Sequence, residues 1–556
     1  MHCRDAALVL ERYALLLELA GENPFKARAF RRAAELLVAL DLPLGVALAG
    51  EELKHAPGIG EGVRSVLAEL TEHGTITHLV QLERSIPRGV VELTELRGIG
   101  PSRARQLWQT CGITSIEELE RACREGRIAH CKGFTEKTQA SLLEAISFWR
   151  TIHGRLPRHK CWRLFNELRT LLLDRGASDV LPAGELRRGL EVVQSLAIVA
   201  VSTAPEDVLL PDDFELFQTG HYRSLERGIA VDIYLASPDN AGTALFRATG
   251  SDAFIHAASA HDHLPGLPSE VEVFAHLDLP FVPPELRDDP TLLERLRRGE
   301  SIPPLVTMEA MRGLLHVHTT WSDGKSSLED MAHAAAQLGF EYIAICDHSR
   351  SAAYAGGLSI ERVFEQRAAI DELNCRGTGI HILHGIESDI LPDGSLDYPD
   401  EVLAQFDIVV ASIHTHFDLP EHLQTERVCR ALRNPFTTIL GHPTGRLLLR
   451  REGYRIDIEQ ILQEAARTGT AIEFNVNPYR LDLDWRYHQR ARELGVTIAI
   501  NPDAHSTDAL GELADGITVA RHGMLRTEDV INTLPLDKFT SYVNAQRNRK
   551  QQRALQ

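Results

Sequence analysis

Two histidines two residues apart, His316 and His318, stand in the stretch Leu314-Leu-His-Val-His-Thr-Thr-Trp-Ser-Asp-Gly324. On an extended strand that spacing turns both imidazoles to one face. Asp323 follows on a turn ended by Gly324, so a strand end and its turn offer two imidazoles and a carboxylate. Such a set can start a metal site. The same chemistry recurs downstream at Asp347-His348, Glu387, His414 (with His416), His442 and Asp503-Ala-His505. Mixed imidazole and carboxylate donors suit Mn²⁺, Zn²⁺ or Fe²⁺. Clustered ions of this kind lower the pKa of a bound water and clamp phosphate oxygens, so the chemistry to expect is phosphoester hydrolysis. Arg480, in Asn475-Val-Asn-Pro-Tyr-Arg480, is placed to bind the non-bridging oxygens.

The elements that must position these groups are short apolar runs alternating with amphipathic helical patterns from about residue 309 onward. The runs are Gly313–Val317, Tyr342–Cys346, Ile380–Ile386, Ile408–Ile413, Thr437–Leu440, Thr470–Phe474 and Thr497–Ile500. About seven βα units favour a barrel over an open sheet, and barrel chemistry gathers at the C-terminal ends of the strands. The acidic and imidazole residues fall at those ends.

Residues 1–160 read differently. Residues 4–40 have helical apolar spacing broken at Gly21-Glu-Asn-Pro24. Ala56-Pro-Gly58-Ile-Gly60 precedes one helical stretch, and Leu96-Arg-Gly98-Ile-Gly100 precedes another. Lys132-Gly-Phe-Thr-Glu-Lys137 is a weaker third copy, with Thr135 where the second glycine would stand. Glycines close such a turn and expose backbone N–H groups at the start of the next helix, a sequence-independent grip on nucleic-acid phosphates. The net charge is −19, yet the first 160 residues are near neutral, and the acidic excess lies in 161–308 and 309–556. Of the chain's segments, the first is therefore the one suited to a polyanion. Eight scattered cysteines without a C-x-x-C pair suggest reduced, cytosolic thiols. The amino terminus leads into an amphipathic helix rather than a signal peptide, and no run of 18 apolar residues suggests a membrane span.

Three further segments carry a family resemblance. Leu181-Pro-Ala-Gly-Glu-Leu-Arg187-Arg188-Gly-Leu-Glu191, Ala230-Val-Asp232-Ile-Tyr234 and Thr249-Gly-Ser251 resemble the palm and thumb of family X DNA polymerases. Gly21-Glu-Asn-Pro-Phe25 with Arg28-Ala-Phe-Arg-Arg32 is similar to that family's first domain, and the glycine hairpins to its helix-hairpin-helix motifs. The domain order resembles the bacterial members. The resemblance implies a palm with three metal-binding Asp, two of them alternating on one strand. Ser195 and Ala197 occupy those paired positions, and Asp232 alone survives. Glu185 replaces a serine that would meet the triphosphate. One carboxylate cannot hold two cations, so the polymerase site is expected to be inactive. A deoxyribose-phosphate lyase is not expected either, because residues 61–70 hold no lysine for a Schiff base.

The histidine-rich region resembles the polymerase-and-histidinol-phosphatase (PHP) domain, which implies a distorted (β/α)7 barrel with two or three metal ions. Carried over position by position, the ligands are His316, His318, Asp323, His348, Glu387, His414, His442, Asp503 and His505, with Glu387 bridging and Mn²⁺ favoured. The expected architecture is multidomain. A helical N-terminal domain (1–85) and a fingers-like domain (86–160) carry the helix-hairpin-helix motifs. A nucleotidyltransferase-like palm (161–240) follows, then thumb and proline-rich linker (241–308) and the PHP barrel (309–556). The expected function is DNA repair in the bacterial cytoplasm, at the nucleoid. The barrel would act as a metal-dependent 3′–5′ exonuclease on duplex ends, gaps or recessed 3′ termini, with abasic-site cleavage as an extension. The alternatives are a small-molecule phosphomonoesterase, an active polymerase and a non-catalytic DNA-binding scaffold.

Overall fold

The computed structural model describes residues 1–38, 40, 42–50, 53, 59–259 and 264–554. Its contacts divide the chain into two compact units, Met1–His153 and Gly154–Gln556.

Among the described residues the first unit is built of helices. Helices Cys3–Ala20 and Pro24–Val38 form an antiparallel pair, and Gly21 ends the first in the left-handed conformation. Tyr13, Phe30, Leu10 and Leu17 lie in the common core. Helix Pro101–Cys111 starts at Gly100, after Gly98 takes a φ of 86°. The isoleucine between these glycines, Ile99, is buried, and so is Ile59 ahead of Gly60 at the start of helix Glu61–His73. The apolar residue anchors each turn while the glycine faces open space, since a Cβ at Gly60, Gly98 or Gly100 would meet nothing within 4 Å. Gly58 lies outside the described residues. The third hairpin forms with Gly133 at φ 88°. Phe134 fills the anchoring position, and the Thr135 hydroxyl accepts the Thr138 N–H at 3.2 Å. A threonine N-cap does there what glycine does elsewhere.

The second unit holds a mixed sheet and a parallel barrel. The sheet comprises β1 (Asp179–Ala183), β2 (Ser195–Val201), β3 (Glu215–Gln218), β4 (His221–Ser224) and β5 (Ala230–Ala236), in the order β1-β2-β5-β4-β3. β2 and β5 run parallel, which sets Ala197 beside Asp232. Helices Ala241–Thr249, Glu270–His276 and Thr291–Arg297 follow, packed through Phe246, Phe274 and Leu293.

The barrel strands are β6 (Gly313–Val317), β7 (Tyr342–Ile345), β8 (His381–Asp389), β9 (Ile408–Ser412), β10 (Ile439–Leu440), β11 (Ala471–Asn475) and β12 (Ile498–Asn501). They pair in sequential order, all parallel. A bridge between Val317 and Ala504, with the His318 N–H donating to the Ala504 carbonyl at 2.9 Å, nearly closes the ring. The strands are buried along almost their whole length, as expected where helices cover a parallel sheet. Helix Leu536–Ala554 runs under the opposite mouth, with Phe539 and Val543 packed on Tyr342, Ile439 and Ala499. That helix leaves the C-terminal strand ends as the free mouth of the barrel. Among the described residues no helix is long and apolar enough to cross a membrane.

Sheet and barrel are tied by partly buried polar contacts. Arg158, 2% exposed, donates to Asp515 at 2.6 Å, and the Trp162 indole donates to the same oxygen at 3.0 Å. Glu191 accepts from Arg486 at 2.7 Å and from the Trp485 indole at 2.8 Å. Arg521 donates to Glu285 at 2.6 Å.

Candidate metal centre

His316 lies within β6 and His318 just past it; His348 follows β7; Glu387 is near the end of β8; His414 follows β9; His442 follows β10; Asp503 and His505 follow β12. Parallel pairing brings all these ends to one mouth, so residues far apart in sequence meet around Glu387. The Glu387 carboxylate is 2.9 Å from His348 Nδ1, 2.9 Å from His442 Nε2, 3.4 Å from His414 Nε2 and 3.6 Å from Nε2 of both His316 and His318. Asp503 lies 3.1 Å from His318 and 3.7 Å from His316. Asp323 lies 3.4 Å from His505, 3.6 Å from His348 and 3.9 Å from His318. Asp503 reaches its place with a φ of 51°, a strained value for a residue with a side chain.

Among the described residues three groups have donor atoms close enough to share an ion: His316, His318 and Asp503; His318, Asp323, His348 and His505; and His348, Glu387 and His414. His442 joins them through Glu387. His316 Nε2, both nitrogens of His318 and Nδ1 of His348 and His442 are buried without a hydrogen-bond partner. Buried polar atoms are ordinarily paired, and unpaired nitrogens aimed among carboxylates have the chemistry of cation ligands. The donor set thus fits divalent metal ions.

Electrostatics agree. Burial alone would raise the Glu387 carboxyl, but His414, His348 and His316 hold it well below its usual range. Burial works against charge on His348 and His414 too, yet Glu387 with Asp323 or Asp389 lifts them to about 10 and about 9. His318 is driven down to about 3 by burial and by its neighbours His505 and His348, so its ring is neutral throughout the physiological range.

A second layer fixes the rings. Glu473, fully buried, accepts from Nδ1 of His316 at 2.7 Å and from the His442 backbone N–H at 2.7 Å. The side-chain amides of Asn501 and Asn475 donate to it at 2.9 and 3.1 Å. Asp389 accepts from Nδ1 of His414 at 2.6 Å. Such partners fix the tautomer and leave Nε2 free to ligate. The sequence pattern passes over both residues, although a charged residue inside the apolar run of β11 is itself a signal. Asp347, next to a candidate ligand, pairs with the Thr319 N–H and hydroxyl, Ser322 and Gln366. It pins the turn that carries Asp323 rather than orienting His348. Arg480 stands 3.6 Å from Asp503, on a loop braced by the Arg446 bond to its carbonyl at 3.0 Å. His416 lies outside the cluster, exposed and paired with Thr415.

The palm residues are placed quite differently. Asp232, 3% exposed, accepts from Ser195 at 2.6 Å, from Arg223 at 2.7 Å and meets His221 Nε2 at 2.6 Å. Ala197 lies beside it on β2. Glu185 accepts the Gln194 N–H at 2.5 Å. Arg187 pairs with Glu270 at 2.6 Å and with Thr249 at 2.8 Å, while Arg188 binds Asp288 at 2.9 Å and the Thr249 carbonyl at 2.7 Å.

Comparison with known proteins follows the same divisions. Residues 315–477 match the PHP domain, 1–76 a helix-hairpin-helix domain and 90–147 a SAM-like helix-hairpin-helix tandem. The PHP match stops short of Asp503 and His505. The chain is 29% identical to a probable phosphatase of Caldanaerobacter subterraneus subsp. tengcongensis, over 42% of this chain and 91% of that protein. A probable phosphatase of Thermoanaerobacter sp. (strain X514) is 28% identical over 43% of this chain and 98% of its own length. With the DNA polymerase/3′-5′ exonuclease PolX of Bacillus subtilis (strain 168), identity is 35% over 98% of this chain and 99% of the relative. Because that likeness runs through hairpins, palm and barrel alike, the chain belongs to the PolX family of bacterial DNA polymerase/3′-5′ exonucleases.

Proposed function

We propose that this protein is a metal-dependent 3′–5′ exonuclease whose chemistry resides in the barrel and whose palm no longer polymerises. The observation that carries this reading is the contrast between two sites. In the barrel, His316, His318, Asp323, His348, Glu387, His414, His442, Asp503 and His505 converge with unpaired nitrogens. In the palm, Asp232 is consumed by Ser195, Arg223 and His221, and Arg187 and Arg188 are engaged internally.

Two or three divalent ions held by the nine barrel residues would supply an activated water and neutralise the phosphate, with Mn²⁺ favoured. The chain's own residues do the rest. Glu473 holds the proton on Nδ1 of His316 and Asp389 that on Nδ1 of His414, so Nε2 of both rings faces inward. Arg480 orients the non-bridging oxygens of the scissile phosphate. Gly60, Gly98 and Gly100 present open turns at helix starts to the DNA backbone. The barrel is shared with relatives called probable phosphatases, and hydrolysis of a small phosphomonoester is the competing reading. The hairpin unit favours DNA. Abasic-site cleavage would use the same centre.

A 5′-labelled recessed primer incubated with Mn²⁺, with and without the four nucleotides, tests the reading. The primer shortens in both cases, and His316→Ala abolishes shortening. Extension of the primer would overturn the assignment of the palm, and an active His316→Ala protein would overturn that of the barrel.

A further inference from the structure

At the rim of the metal centre stands an aromatic ring that the reading above leaves unused. Tyr354 is 70% exposed, and its ring centroid lies 6.4 Å from that of His348. Its loop is not slack. Ala352 is fully buried on one side and Ala355, 4% exposed, on the other. The N–H groups of Ala355 and Gly357 both donate to the Ala352 carbonyl, at 2.9 and 3.1 Å, and Leu358 donates to the His348 carbonyl at 2.8 Å. The Ser351 hydroxyl is tied to Asp389 at 2.7 Å. A Cβ on Gly357 would fall 2.0 Å from the Ser349 carbonyl, so the loop closes on itself where only glycine fits. Gly356, at φ 69°, lies against the turn that bears Asp323. A tightly fixed loop thus buries its small residues and holds one large apolar ring outside, at the mouth.

We infer that Tyr354 is the platform on which the base of the terminal nucleotide stacks when its phosphate lies among the barrel donors. The inference rests on the nuclease reading above. A nucleotide with its phosphate among the barrel donors carries its base one sugar away, at the rim where this ring stands. Every base has a π-face, so the platform is indifferent to sequence. It does require the base to leave the duplex stack. A small phosphomonoester without a base gains nothing from it.

The test uses the full chain with Mn²⁺ and two single-stranded 5′-labelled oligodeoxynucleotides. They differ in one feature: the 3′-terminal residue carries thymine in one and is a tetrahydrofuran abasic analogue in the other. Stacking of one base on an aromatic side chain corresponds to a KM change of about 5- to 150-fold. The wild type is expected to show that rise in KM when the base is removed, and Tyr354→Ala to show it with the intact substrate. Removing both rings should cost no more than removing one, with kcat falling less than KM rises, and Tyr354→Phe should behave as wild type. Additive losses, or a wild-type KM indifferent to the base, would overturn the platform. The wild-type comparison stands on its own if Tyr354→Ala fails to fold. If the wild type cuts neither oligonucleotide but hydrolyses glycerol phosphate, the nuclease reading fails and the platform falls with it.

Discussion

Replacing Glu473 by glutamine should loosen the metal centre from behind without touching a ligand. The carboxylate accepts from the His316 ring, the His442 N–H and the amides of Asn475 and Asn501. All of these are donors, and Glu473 is fully buried. A glutamine offers one accepting oxygen and one NH₂ group. Whichever way it turns, its NH₂ faces two donors, so two buried hydrogen bonds are lost. Each buried donor left without a partner costs about 1–3 kcal/mol, which puts the loss of stability at about 2–6 kcal/mol. The proton on Nδ1 of His316 is no longer fixed, and loss of such a partner typically weakens metal affinity about 10- to 100-fold. Two assays separate the effects. Thermal unfolding in chelator reads the first, and competitive Mn²⁺ titration against a fluorescent chelator reads the second. Glu473→Gln should lower both, and Glu473→Asp should recover neither fully, because the shorter side chain cannot span the same donors. A Glu473→Gln protein that melts with the wild type and keeps its Mn²⁺ affinity would refute the claim that this residue orients His316.

Glu270 lies between Arg187 and the fully buried Arg287. Glu270→Ala strands Arg287 and should cost about 3–5 kcal/mol; a melting temperature within a degree of wild type would contradict this. Lys550, 3% exposed, donates to the carbonyls of Asn434 at 3.2 Å and Thr437 at 2.5 Å, and burial lowers its pKa to about 7. An unfolded lysine titrates near 10.4, so between about pH 7 and pH 10 the unfolded chain binds more protons and stability rises with pH. Urea unfolding should show a gain of about 2 kcal/mol from pH 7 to pH 9 in the wild type, and Lys550→Met should flatten it.

Much of the clustering at the barrel mouth was legible because each candidate ligand sits in a short local pattern at a strand end: His316 and His318 on one strand face, Asp347-His348, Asp503-Ala-His505. Parallel strands in sequential order then bring those ends together with no further instruction. The second layer was not legible. Glu473 serves His316 across 157 residues of chain, and Asp389 serves His414 across 25. Neither stands beside its partner in any motif, and a lone acid in a strand has many ordinary uses. Asp347 illustrates the same limit, since it adjoins His348 in sequence while its partners are Thr319, Ser322 and Gln366. The hairpins divide similarly. Gly-Ile-Gly is a visible turn, whereas the third copy depends on a threonine cap that sequence spacing alone rates as a defect.

The bonds from Arg158 and Trp162 to Asp515, and from Arg486 and Trp485 to Glu191, bear on how such a chain can change over time. The probable phosphatases match about two fifths of this chain over nearly their whole length. Here Asp515, Trp485 and Arg486 of the barrel take their partners from outside it: cut free at residue 308, it would lose both sets of bonds. Deleting the palm in one step would strand them, while point changes inside the palm would leave them intact. A domain joined in this way can change its residues one at a time and still be inherited whole, as masonry.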